Sequence, residues 1–122
     1  MSSVLVVDDH AGMRNTLIDI LEEEGFEVDS ACCGDEAVDR FKQHPFNAVI
    51  MDVMMPGING VQAFQQMKHF NKDIKAIFMS AFAMEELKDQ ALSDGAVAFL
   101  YKPIDPDQLI GLLEQLSPEK AG

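Results

Sequence analysis

Apolar and polar positions along this chain follow two periods in turn, and each change of period marks an element. Val4 to Val7 is a short unbroken apolar run, which predicts a buried strand. Met13, Leu17, Ile20 and Leu21 then recur at helical spacing as far as Glu24-Gly25, where glycine suits a helix C-terminus. Phe26 to Cys32 alternates, as an edge strand should. Asp35 to Phe41 predicts a helix turning Ala37, Val38 and Phe41 inward, stopped by His44-Pro45. Phe46 to Met51 is a second apolar run and predicts a central strand. Met55-Pro56-Gly57 opens a loop, and Gly60 to Phe70 is a helix with Val61, Phe64 and Met67 as its inner face. Ile74 to Met79 is the next strand. Met84 to Ser93 is a weaker helix in which only Leu87, Ala91 and Leu92 face a core, and Ala96 to Tyr101 is the last strand. Asp105 and Pro106 suit the cap and first turn of a final helix, with Gln108 completing a capping box and Leu109, Leu112, Leu113 and Leu116 on one face.

Five consecutive strand–helix units predict an α/β fold, a parallel sheet with helices on both faces. The 122 residues fit one domain, with a core over about 3–116 and 117–122 as a tail or linker. The start MSSVLVVDD runs directly into a strand and has no basic, then apolar, leader. No apolar run reaches the roughly 20 residues that span a bilayer, so no membrane association and a cytoplasmic location are expected. The net charge of -12, with only nine Lys and Arg, argues against direct nucleic acid binding. Adjacent Cys32 and Cys33 read as reduced thiols, small buried hydrophobes near a strand end rather than a redox or metal site.

Charge and chemistry change the picture at the strand ends. Asp8 and Asp9 follow the first apolar run, Asp52 the third strand, Ser80 the fourth and Lys102 the fifth. In an open parallel sheet the carboxyl ends of the strands share one edge, where ligands bind. Three carboxylates placed together need a counterion: two unit charges at ~4 Å repel by about 4 kcal/mol at an effective dielectric of 20. Lys102, a raised pKa or a divalent cation would relieve this, and oxygen donors suit Mg²⁺, with Mn²⁺ as a substitute. Beside such a cation an aspartate can take a phosphoryl group as an aspartyl phosphate, with Ser80 and Lys102 on the other oxygens. No glycine-rich phosphate loop is present, so the donor is expected to be a phosphorylated protein rather than a nucleotide.

These pieces together resemble the receiver domain of two-component response regulators: VLVVDD at 4–9, VIMDVMMPGING at 49–60, MSA at 79–81 and YKP at 101–103. The resemblance implies a flavodoxin-like strand order 2-1-3-4-5 and a phosphorylation-dependent switch. It implies a histidine kinase or histidine phosphotransfer protein as donor and a protein effector or attached output domain downstream. Carried over by residue, it makes Asp52 the phosphoacceptor and Asp8, Asp9, Asp52 and the backbone carbonyl of Met54 the Mg²⁺ ligands. Ser80 and Lys102 become the residues that sense the phosphate, and the Lys102-Pro103 bond is implied to be cis. Phe99 occupies the aromatic switch position, although a plain strand aromatic would look the same. Met54 and Phe82 occupy the two positions that tune dephosphorylation, and neither can orient an attacking water.

An aspartyl-phosphate phosphatase of the haloacid dehalogenase type remains the alternative, although Met54 stands where that enzyme needs a second Asp. A flavodoxin would want a Ser/Thr-rich loop where this chain has DDHAGM. Apart from its own phosphotransfer and slow dephosphorylation, no enzymatic activity is expected. FLYKPIDPDQL lacks the Asp/Arg set that pairs winged-helix regulators, and LSPEKAG leaves open a receiver cut from a longer protein.

Overall fold

The computed structural model describes residues 3–116. Ten elements alternate: β1 (Ser3–Val7), α1 (Ala11–Glu23), β2 (Glu27–Ala31), α2 (Gly34–Gln43), β3 (Ala48–Asp52), α3 (Gly60–Met67), β4 (Lys75–Ser80), α4 (Glu85–Ser93), β5 (Ala98–Tyr101) and α5 (Pro106–Leu116). All pairings are parallel and the strand order is β2-β1-β3-β4-β5, as expected. The expected tail over 117–122 lies outside the described residues.

Period-2 alternation divides the buried strands between two cores. Leu5, Val7, Val49, Met51 and Phe78 face α2, α3 and α4, where they meet Val38, Phe41, Val61, Phe64 and Ala91. Val4, Val6, Ile50, Ile77 and Met79 face α1 and α5, where they meet Leu17, Leu21, Leu109 and Leu113. The unbroken apolar runs of β1 and β3 therefore record burial on both faces. β2, at the sheet edge, is more exposed and alternates less strictly.

Several boundaries differ from expectation. Phe26 and Phe46 are buried but precede their strands, serving as core plugs rather than ladder residues. α3 ends at Met67, past which the N–H groups of His69 and Phe70 bond to carbonyls only three residues back, those of Gln66 and Met67, in turns tighter than an α-helix. Its start is closed by a capping box between Asn59 and Gln62. At α5 the Asp107 N–H donates to Asp105 Oδ1, but no bond from the Gln108 side chain accompanies it among the described residues. Leu92 is 43% exposed instead of core-facing, since α4 rests on a narrow stripe of Leu87 and Ala91 and Leu92 lies off it. Cys32 is exposed and Cys33 half-buried, not core residues, because both follow the last residue of β2 in the turn into α2.

Gly60 ties the helix layer to the sheet edge. Its N–H donates to Val53 O at 2.9 Å, and a Cβ here would lie 2.7 Å from the carbonyl oxygen of Asp52 and 3.0 Å from Val53 Cα. These are backbone atoms and cannot swing aside. Gly60→Ala is therefore expected to lower unfolding free energy by about 2 kcal/mol despite alanine's better helix propensity. Gly111→Ala in α5, where an added Cβ meets nothing within 4 Å, should raise it by about 1 kcal/mol. Urea denaturation of both variants checks the opposite signs.

Candidate functional site

The sheet register assembles the site. Val7 pairs with Met51, so Asp8 comes level with Asp52, the last residue of β3. Asp52 pairs with Met79, which sets Ser80 one residue further out on β4. Ser80 pairs with Tyr101, and the N–H of Lys102 continues the ladder to Ser80 O at 2.8 Å. The Lys102-Pro103 bond is cis.

Lys102 is the centre of the arrangement. Its ammonium donates to Asp52 Oδ2 at 2.8 Å and to Asp8 Oδ2 at 3.0 Å. The Asp8 side chain has no solvent exposure and Asp52 is buried. Each carboxylate is also held through its other oxygen: Met54 N–H donates to Asp52 Oδ1 and His10 N–H to Asp8 Oδ1, both at 2.9 Å. Buried carboxylates persist only with such partners. Burial is the largest single influence on Lys102 and works against its charge. The hydrogen bonds and charges of Asp52 and Asp8 together outweigh it, so its pKa stands above the ordinary lysine value and it stays cationic.

Asp9 is placed differently. Its side chain is partly open to water, and His10 Nδ1 lies 3.4 Å from both Asp9 Oδ1 and Asp8 Oδ1. Donor atoms of Asp8, Asp9 and His10 all lie within 4.8 Å of one another. Three carboxylates against one ammonium leave an excess of negative charge at this edge. Oxygen donors on a half-open rim fit a divalent ion that keeps several waters, so Asp8 and Asp9 could hold Mg²⁺.

Ser80 does not join the charged cluster directly. Its hydroxyl donates to Phe82 O at 2.6 Å and accepts from Phe82 N–H at 3.1 Å, closing a turn within its own loop. Met54 and Phe82 stand on the loops after β3 and β4 with exposures of 49% and 71%. Phe99 is buried between Phe78, with ring centroids 6.4 Å apart, and Tyr101, edge-on at 5.6 Å. Two residues not singled out in the sequence also support the site. His10 holds Asp8 as described, and Arg14 Nη1 donates to Asp8 O at 2.7 Å from the first turn of α1. The adjacency of His10 to the Asp pair was the available signal for the first; no sequence signal marks the second.

The family described as "Response regulator receiver domain" matches residues 4–114. The chain is 36% identical over 115 residues to the chemotaxis protein CheY of Thermotoga maritima, covering 93% of this chain and 96% of that relative. It is similar in structure to a CheY-like response regulator receiver domain protein from Methanospirillum hungatei, with a TM-score of 0.90, 29% identity, and coverage of 100% of this chain and 99% of the other. The response regulator TrrA of Thermotoga maritima, crystallised in complex with Mg²⁺ and BeF, gives 0.86 at 32% identity, covering 96% of this chain and 100% of the other. These matches run to receiver domains and decide against the haloacid dehalogenase-type phosphatase that Asp and Mg²⁺ chemistry had left open. The chain belongs to the response regulator receiver domain family.

Proposed function

We propose that Asp52 is the phosphoacceptor of a phosphorylation-dependent switch in a two-component system. The observation that carries this reading is the buried Asp52 held by Lys102 at 2.8 Å, with Asp8 on the same ammonium. A histidine kinase or histidine phosphotransfer protein is the donor. A carboxylate oxygen of Asp52 bonds to phosphorus as the P–N bond of the phosphohistidine breaks, and the imidazole leaves. Asp8, Asp9, Asp52 and the backbone carbonyl of Met54 hold Mg²⁺, with Mn²⁺ as a substitute. When bound, that ion neutralises charge on the phosphoryl oxygens. Lys102, already cationic, exchanges a carboxylate oxygen for a phosphoryl oxygen.

The added charge of about -1.5 to -2 offers new acceptors to Ser80. Its hydroxyl turns from Phe82 O toward the phosphoryl group and draws the loop after β4 with it. Phe99 follows into the vacated space, so the face made by α4, β5 and α5 changes for an effector or output domain. The thin packing of α4, with Ala91 its one buried residue, supports a movable element. In this role the chain is a signalling module whose chemistry is its own phosphotransfer and slow dephosphorylation. No helix among the described residues is long and apolar enough to cross a membrane.

An apolar groove of about 230 Å³ between α1 and the loop after β5 is lined by Met13, Leu17, Ile20, Lys102 and Ile104, among others. It supports docking of the donor protein beside Asp52.

Three outcomes test this reading. Phosphotransfer from a phosphohistidine donor should label the wild type only with Mg²⁺ and should not label Asp52→Asn; equal labelling of both would remove Asp52 as acceptor. Met54→Asn and Phe82→Glu should shorten the lifetime of the phosphorylated form by on the order of tenfold each, about 1.4 kcal/mol off the barrier. Decay of isolated phosphoprotein measures it, and unchanged lifetimes would mean that Met54 and Phe82 do not tune dephosphorylation. Ile20→Glu should slow transfer from the protein donor by about tenfold, again ~1.4 kcal/mol, yet leave labelling by a small acyl phosphate intact. Equal slowing with both donors would place Ile20 in folding rather than docking.

A further inference from the structure

We infer that His10 is a ligand of the cation site and that its nitrogen makes this site favour first-row transition cations over Mg²⁺. This rests on the proposed carboxylate site and adds to it a donor of another class.

The geometry is specific to this stretch of chain. His10 is the N-cap of α1, yet its side chain makes no capping hydrogen bond. The ring instead turns toward the two aspartates, with Nδ1 equidistant, at 3.4 Å, from Asp8 Oδ1 and Asp9 Oδ1. The backbone helps to hold this arrangement, because the His10 N–H is itself bonded to Asp8 Oδ1 at 2.9 Å. One donor atom from each of the three residues falls within a 4.8 Å span, a spacing that one ion can bridge. The imidazole is 76% exposed, so it can adjust to a bond of about 2.1 Å without disturbing the core.

The chemistry then sets the preference. Mg²⁺ is a hard ion that takes oxygen and keeps its waters, so it gains little from an imidazole. Mn²⁺, Co²⁺, Ni²⁺ and Zn²⁺ accept mixed nitrogen and oxygen sets, with affinity rising along the Irving–Williams order. His10 would add one imidazole nitrogen to the oxygens of the proposed carboxylate site. The oxygens alone are hard donors; the imidazole is a donor that transition cations use and Mg²⁺ does not.

Calorimetric titration of the full chain with MgCl₂ and with CoCl₂ tests the inference, using wild type, His10→Ala and Asp9→Asn. Co²⁺ should bind wild type more tightly than Mg²⁺. His10→Ala should weaken Co²⁺ by about tenfold or more and leave Mg²⁺ unchanged. Ring-¹⁵N NMR should show a large shift of the His10 Nδ1 resonance with ZnCl₂ that saturating MgCl₂ does not reproduce; a histidine that merely neighbours the bound carboxylates would respond to both. If His10→Ala weakens both cations equally, changes neither, or strengthens Co²⁺ binding, the inference is overturned. Asp9→Asn separates the two levels. It should weaken both cations, and if it affects neither, the carboxylate site itself is wrong and the role of His10 falls with it.

Discussion

The Lys102 ammonium, shared between Asp8 and Asp52, is the interaction on which the arrangement of this protein turns. A parallel sheet buried on both faces leaves the ends of its central strands in a low-dielectric setting. Two carboxylates there would repel strongly and lose their hydration. One cation from β5, reaching across to the ends of β3 and β1, makes the pair tolerable. The remaining excess of negative charge is what a divalent ion would answer, and a phosphoryl group would add to it. The same electrostatic demand therefore links folding of the sheet edge to the proposed chemistry.

Rigidity is unevenly distributed around that centre. The side of the proposed acceptor is closely fitted: Asp52 ends a fully buried strand, its carbonyl lies against Gly60, and its carboxylate is bonded through both oxygens. The responding side is looser. Ser80 holds its loop through a two-way bond to the backbone of Phe82, and α4 buries little beyond Ala91. A phosphoryl oxygen would compete with the Phe82 carbonyl for one hydroxyl, a local exchange with a large lever arm. This asymmetry, a fixed carboxylate beside a loosely latched loop, is the physical form that a two-state switch requires.

The fold was legible because burial on both faces writes itself into sequence as unbroken apolar runs, and one-sided burial as alternation or helical spacing. Val4 to Val7 and Val49 to Met51 could be read on that ground alone. Phe26, Phe46 and Leu92 were harder. Phe26 and Phe46 plug the core from outside their strands and Leu92 falls off a narrow helix face, and local pattern does not separate these cases. The α3 terminus was set by carbonyl geometry at Met67, to which helical periodicity is blind.

The site divides in the same way. Sequence by itself determined the cast: two aspartates, a third aspartate, a serine and a lysine, each at the end of an apolar run, hence each at one sheet edge. This follows because strand ends in a parallel sheet are set by chain connectivity. Only the tertiary structure decided which of them touch. Register set Asp8 level with Asp52, and the reach of Lys102 joined them. Ser80 turned to its own loop, Asp9 stayed at the rim, and His10 and Arg14 were recruited from the cap and first turn of α1. Side-chain direction depends on rotamers, competing hydrogen bonds and neighbours distant in sequence. That information exists only once the strands lie side by side.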